Sequence, residues 1–193
     1  MDFITGLPWS NGFNAILIVV CWLTKMRHFI PCRDTCTVEQ LAELYACHIF
    51  RLHGLSKTII LDRGTQFIAK FWRDLCKALK IKALLSTPYH PETDGETERV
   101  NAILKQYLRA YVNYIQDDWQ AWLHLAEFAT NNHASETTGM SPFFANHGQD
   151  PLWQFDLTTN SGKAPEERDA RQTATKMKEI AEHLQVEILR AQH

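Results

Sequence analysis

Apolar, largely β-branched residues run unbroken through "AILIVVCWL" at 15–23, which predicts a central strand buried on both faces. "MDFITGLP" before it and "KMRHFIPC" after it read as its partners, a three-stranded antiparallel meander. The pattern then turns helical. Leu41, Leu44, Tyr45, His48 and Ile49 share one face, Thr37 and Gln40 have capping-box spacing, and Gly54 supplies a stop. His48 on that face reads as a packed or satisfied histidine and not a ligand. "KTIIL" at 57–61 is a short buried strand, Phe67, Phe71, Leu75 and Leu79 stripe a second helix, and "IKALLST" at 81–87 is a fifth strand. Residues 87–97 read as a loop. A long helix follows, with Val100, Ile103, Leu104, Tyr107, Leu108, Tyr111 and Ile115 as its apolar stripe. Asp117 or Asp118 caps another helix, and Ser141 a short one with Pro142 in its first turn.

After Pro151 the chain turns polar. Residues 151–171 read as a linker, and Met177, Ile180, Ala181, Leu184 and Ile188 form the narrow stripe of a helical extension at 172–193. Residues 1–150 are one domain. Their order, β-β-β-α-β-α-β-α and then more helix, predicts an α/β fold: a mixed sheet with helices on both faces.

Composition narrows the function classes. With 45% apolar and 11% aromatic residues, the 193-residue chain can build a core without crosslinks. A net charge of −2 gives the whole chain no attraction to nucleic acid. A DNA or RNA role would need a local basic face or basic partner domains. The five cysteines are odd in number and scattered, which fits a reducing compartment. Cys21 and Cys76 sit in apolar patterns, and Cys32-x-x-x-Cys36 has no second ligand pair for zinc. No apolar run is long enough to cross a bilayer, and no signal peptide follows Met1. A strand at the first residue reads as a piece of something longer.

The candidate chemistry is carboxylate chemistry. Glu92, Asp94, Glu96 and Glu98 alternate through "HPETDGETERVN", either as a solvated loop and acidic helix start or with one metal-binding member. Asp62 ends a strand; it is a turn former in "DRG" or a ligand at the strand's mouth. Asp2 stands in an apolar strand, which is costly unless it is paired, metal-bound or exposed. Glu98 opens a polar helix stripe with Asn101, Ala102 and Lys105. No Ser-His-Asp or Cys-His arrangement stands out.

Together these residues form a pattern: a strand Asp, a second Asp closing a later strand, then a Glu after the 35 residues 63–97. With "RLHGLSKTIILDRGTQF", "STPYHPETDG", "TERVN" and "TTGMSPFFANHG", the chain resembles over residues 1–150 the catalytic core of retroviral-type integrases, in the form found in gypsy-type LTR retrotransposons. The resemblance implies an RNase H-like fold: a five-stranded mixed β-sheet flanked by α-helices, followed here by the C-terminal helical extension. It implies DNA integration, by 3′-processing and strand transfer of retroelement ends, with two Mg²⁺ (or Mn²⁺) ions about 3.5–4 Å apart. Asp2 would bridge both ions, Asp62 would hold one and Glu98 the other. Tyr89, His90 and Gly95, in a mobile loop, would lie beside the DNA end. Arg99, Asn101 and Lys105 would contact phosphate. The implied partners are DNA and further copies of the chain, with no membrane, in the nucleus. The family's upstream zinc domain and basic or chromodomain-like downstream module fall outside these residues.

Three departures stand against the family pattern. Asp2 has few strand residues before it, Glu92 and Glu96 stand where relatives often have Gln, and Cys21-Trp22 stands where many have Asp-Arg. The last change reads as strand packing. Acidic residues in the loop weaken attraction to a phosphate backbone. Two functions therefore compete: an active transferase, or an inactive, truncated or domesticated nucleic-acid-binding or interaction module.

Overall fold

The computed structural model describes residues 1–61, 70–85 and 91–151, with the side chains of 70–72, 85 and 91–98 outside the description. Strands β1 (Asp2–Ile4), β2 (Ala15–Val20) and β3 (Arg27–Cys32) form the expected antiparallel meander, with Asp2 opposite Ile18 and Ala15 opposite Cys32. Strands β4 (Thr58–Leu61) and β5 (Lys82–Leu85) pair in parallel. The Met1 ammonium donates to the Ile60 carbonyl at 2.8 Å, which brings the start of β1 alongside β4.

The sheet is buried on both faces because β2 alternates between two cores. Ala15 and Leu17 pack with Leu41, Tyr45 and Ile49 of the first helical run, and with Ile59, Leu61 and Cys76. Ile16 and Ile18 pack with Val100, Leu104 and Tyr107 of one later helix and Trp119, Leu123 and Ala126 of the next. All four β2 residues are 0% exposed, and burying an aliphatic side chain of this size contributes about 1.5–3 kcal/mol.

The strand is shorter than its apolar run. β2 ends at Val20, and Cys21 N–H to Met26 O (2.7 Å) and Lys25 N–H to Cys21 O (2.9 Å) close a turn with Lys25 at φ 61°. Trp22 and Leu23 are 56% and 81% exposed, and Cys21 is exposed as well. Cys21-Trp22 is therefore not strand packing. The Trp22 ring lies 4.5 Å from the Lys25 ammonium, and Lys25 itself is buried.

The first helical run is α1 (Val38–Tyr45), a π turn (Ala46–Phe50) and α2 (Arg51–His53). Thr37 and Gln40 make both bonds of the capping box, at 3.3 and 3.0 Å, and Gly54 ends the run at φ 73°. Leu41, Tyr45 and Ile49 are buried at four-residue spacing, with His53 next in the series. In an α-helix three such steps would drift by about 120° around the axis. The wider π turn takes some of that drift back. His48 is exposed, which removes the packed alternative of its reading.

Among the described residues four more helices follow: α3 (Lys70–Ala78), α4 (Pro91–Tyr111), α5 (Trp119–Asn132) and α6 (Pro142–His147). Two boundaries differ from the pattern. α4 begins at Pro91, so 91–97 are helical and not loop; proline at a first turn gives up an N–H that has no helical partner. α4 also stops at Tyr111, short of Ile115, which is 74% exposed. Asn113 ends it: its side-chain oxygen takes the Gln116 N–H at 2.6 Å, with Gln116 at φ 61°. Asp118 stands before α5 but does not cap it, because its oxygens accept from Asn113 N–H (3.0 Å) and Trp122 Nε1–H (3.1 Å). Ser141 does cap α6, accepting from Phe144 N–H at 3.0 Å. The linker beyond Pro151 and the extension 172–193 lie outside the described residues.

The β3 edge away from β2 is satisfied by α5 side chains instead of a strand. Glu127 Oε2 accepts from Phe29 N–H (2.8 Å), Asn131 Oδ1 from Arg27 N–H (2.8 Å), and Asn131 Nδ2 donates to Arg27 O (2.7 Å). Asn131→Leu should cost about 1–3 kcal/mol in denaturant unfolding, because it strands two backbone groups at a covered edge. An unchanged midpoint would show that water replaces the amide freely.

Candidate active site

Asp2 opens β1, half-buried on the side of the β1-β2-β3 sheet that faces β4. Its Oδ1 accepts the Phe3 N–H at 2.7 Å, and its Oδ2 accepts Asn101 Nδ2–H at 2.7 Å. The second bond crosses from helix to strand. α4 packs on the sheet through Val100, Leu104 and Tyr107, in one core with Ile4 of β1. Asn101, next to Val100, is thereby set against the start of β1. Its amide orientation follows from its partner: a carboxylate accepts, so the amide nitrogen faces Asp2. The amide oxygen, Oδ1, is buried without a hydrogen-bond partner among the described residues.

The other predicted site residues fall into three groups. Asp62, Tyr89 and His90 lie outside the described residues; Leu61, buried at the end of β4, is the residue before Asp62. Glu98 and Gly95 lie inside α4, so Glu98 does not open the helix and Gly95 is not in a loop. The Glu98 side chain is outside the description, but its backbone is one turn before Asn101, on the same helix face. Arg99 and Lys105 are exposed.

Arg99 is engaged. Its guanidinium grips Glu136 with both nitrogens, Nη2 to Oε1 and Nη1 to Oε2, each at 2.7 Å. That hydrogen bond holds the Glu136 carboxyl below the usual carboxylate range and raises Arg99. Lys105, four residues after Asn101, has no salt bridge among the described residues. Sequence reading missed Glu136, because nothing in "NNHASETTG" marks it as a partner of residue 99. It also placed Asn101 toward phosphate and not toward Asp2.

The residues on view suit a hard divalent cation: a carboxylate, and a buried amide oxygen without a donor, are both oxygen ligands. No group of three or more His, Cys, Asp or Glu converges among the described residues, the set from which Asp62 and the Glu98 side chain are missing.

Residues 1–91 match the integrase core domain family. Over those residues the chain is similar to an integrase core domain. It is 33% identical over 185 residues, 95% of its length, to the transposon Tf2-3 and Tf2-4 polyproteins of Schizosaccharomyces pombe, and spans 14% of their length. In three dimensions the chain is similar to the simian T-cell lymphotropic virus intasome in complex with PP2A regulatory subunit B56 gamma. The TM-score is 0.61 at 17% identity, covering 85% of this chain and 56% of that one. It is similar also to the HTLV-2 integrase catalytic core domain in complex with magnesium (TM-score 0.59, 16% identity, 75% and 93% covered). With the BIV integrase catalytic core the TM-score is 0.54 at 25% identity, covering 73% and 90%. The fold is RNase H-like, as the resemblance implied, and α/β, as the element order implied.

The chain should register the Asn101–Asp2 bond in its stability. Asn101→Ala is expected to cost about 1.5–3 kcal/mol in urea unfolding, the range for a hydrogen bond to a charged group. The cost should shrink when Asp2 is already Ala. Equal costs in both backgrounds would remove any coupling between the two residues.

Proposed function

We propose that this chain is the polynucleotidyl transferase module of a retroelement integrase, acting in 3′-processing and strand transfer of element ends into target DNA. The observation that supports this reading most is the Asn101–Asp2 bond. It fixes an acidic side chain at the start of β1 from a helix turn that also carries Glu98.

Asp2, Asp62 and Glu98 are the carboxylates that hold the metal, Mg²⁺ or Mn²⁺. Bound there as a pair, the ions would activate the attacking hydroxyl and stabilise the leaving oxygen of an in-line displacement at phosphorus. The chain's own groups position and neutralise. Asn101 holds one Asp2 oxygen with its N–H and leaves its carbonyl oxygen to accept from a water or a DNA hydroxyl. Lys105 offers a positive charge to phosphate one turn along, and Tyr89, His90 and Gly95 border the DNA end. Arg99 reaches DNA only by leaving Glu136. The partners are DNA and further copies of the chain, and the site of action is the nucleus.

A second reading is a non-catalytic, DNA-binding or interaction module. It rests on both Asp2 oxygens already accepting hydrogen bonds, at 2.7 Å each, from groups of the protein itself.

Disintegration or strand transfer on labelled DNA ends, with Mg²⁺ or Mn²⁺, separates the two. Activity should fall to background in Asp62→Asn and in Glu98→Gln. In Asn101→Ala it should fall about 10–100-fold, as for a partner that orients a metal ligand. Equal signal from wild type and the two carboxylate variants would sink the catalytic reading. A binding assay tests Arg99 separately. Glu136→Gln should free its guanidinium, tighten DNA binding and steepen the salt dependence by about 0.9 in log–log slope. An unchanged slope would mean that Arg99 stays off the DNA.

A further inference from the structure

His28 on β3 is the one buried histidine among the described residues, 7% exposed, and it lies outside the carboxylate site. Both its ring nitrogens are engaged. Nδ1 is 2.9 Å from Glu127 Oε1, and Nε2 is 2.8 Å from Nε2 of His53, with the ring centroids 5.0 Å apart. The Glu127 carboxylate is held from its other oxygen by Phe29 N–H, so it cannot swing away without uncovering the β3 edge.

Proton counting follows from these contacts. A carboxylate only accepts, so His28 Nδ1 carries a hydrogen. Two nitrogens at 2.8 Å hold one hydrogen between them, because one must present a lone pair to the other's N–H. The pair therefore accommodates two neutral rings or one cation. Two cations would set N–H against N–H.

We propose that His28, His53 and Glu127 form a proton-gated latch, which ties the end of the first helical run to β3 and opens when the facing imidazoles take up a second proton.

The groups around the pair set its direction. Glu127 from α5 favours the first proton. Arg51, after the π turn, is permanently positive, and His48 in the π turn and His147 on α6 bring further imidazoles toward the pair. Arg27 on β3 is turned to α5, donating to Thr130 O at 3.5 Å. Burial holds His53 below the ordinary histidine range, with His28 and His147 adding to the shift and Glu127 opposing it. His48 is lowered in the same way, by burial and then by Arg51. A depressed folded value means that the unfolded chain binds the proton first as pH falls. The stability from the latch is therefore complete above the ordinary value of 6.5 and is lost as pH falls from there through the folded value of His53.

The latched segment leads directly to the carboxylate site. His53 precedes Gly54, whose N–H bonds Phe50 O at 2.8 Å, and Ser56 Oγ meets the Tyr45 hydroxyl at 2.9 Å. β4 starts at Thr58 and ends one residue before Asp62. Opening the latch frees the start of the strand that delivers Asp62.

The test uses the whole chain, with ¹⁵N-imidazole NMR and amide exchange followed across pH, exchange being corrected for its intrinsic pH dependence. Near neutral pH the facing nitrogens should show one protonated and one bare Nε2. As pH falls, the bare one should gain its proton, and protection at Gly54 and its neighbours in 50–57 should fall. The fall should be about tenfold for each pH unit between the ordinary value of 6.5 and the folded value of His53, and should level off below it. In His53→Phe, which replaces an exposed ring with a ring, that acid step should vanish. Two nitrogens that protonate independently in wild type, Gly54 protection that ignores their protonation, or an acid step that survives in His53→Phe would each overturn the latch.

Discussion

β2 is buried on both faces, and the rest of the molecule is arranged by that constraint. Its six residues must meet apolar partners above and below, so helices are needed on both sides. The first helical run, with β4, covers one face; α4 and α5 cover the other. β1, three residues long, pairs with β2 and thereby takes its level from it. Asp2 is thus set opposite Ile18 by the same packing that buries Ile16 and Ile18.

An acid at such a position must be accounted for. In this chain the account is local: the Phe3 N–H on one oxygen and the Asn101 amide on the other. Apolar contacts of Val100 and Leu104 place the amide, not the polar residues beside them. The site therefore inherits its geometry from core packing. A core substitution under α4 should disturb Asp2 before it unfolds the chain. The β3 edge follows the same logic, with Glu127 and Asn131 from α5 standing where a strand would pair.

Periodicity made the frame readable. Alternation and unbroken β-branched runs marked the meander, and the Thr37–Gln40 box and Ser141 cap announced two helices by side-chain chemistry alone. What escaped had specific physical causes. "AILIVVCWL" overran its strand, because Trp22 is apolar for the sake of covering Lys25. Ile115 continued a stripe that Asn113 had already ended. The acids of 92–96 looked like loop because they are polar, yet Pro91 starts a helix there. Of the candidate site, the Asp62–Glu98 spacing stands as an expectation whose side chains lie outside the described residues, and the contacts of Asn101, Glu127 and Glu136 were not legible. Each depends on a partner between 37 and 99 positions away, a distance that no local pattern encodes.

The central claim is that Asp2, fixed by Asn101, belongs to a metal-binding carboxylate set with Asp62 and Glu98. Paramagnetic Mn²⁺ titrated into the ¹⁵N-labelled chain tests it most directly. The account predicts selective broadening of the Phe3 amide and the Asn101 side-chain NH₂, saturating with metal and abolished in Asp62→Asn. Uniform weak broadening across surface acids, or broadening at Asn101 that persists without the Asp62 carboxylate, would contradict it.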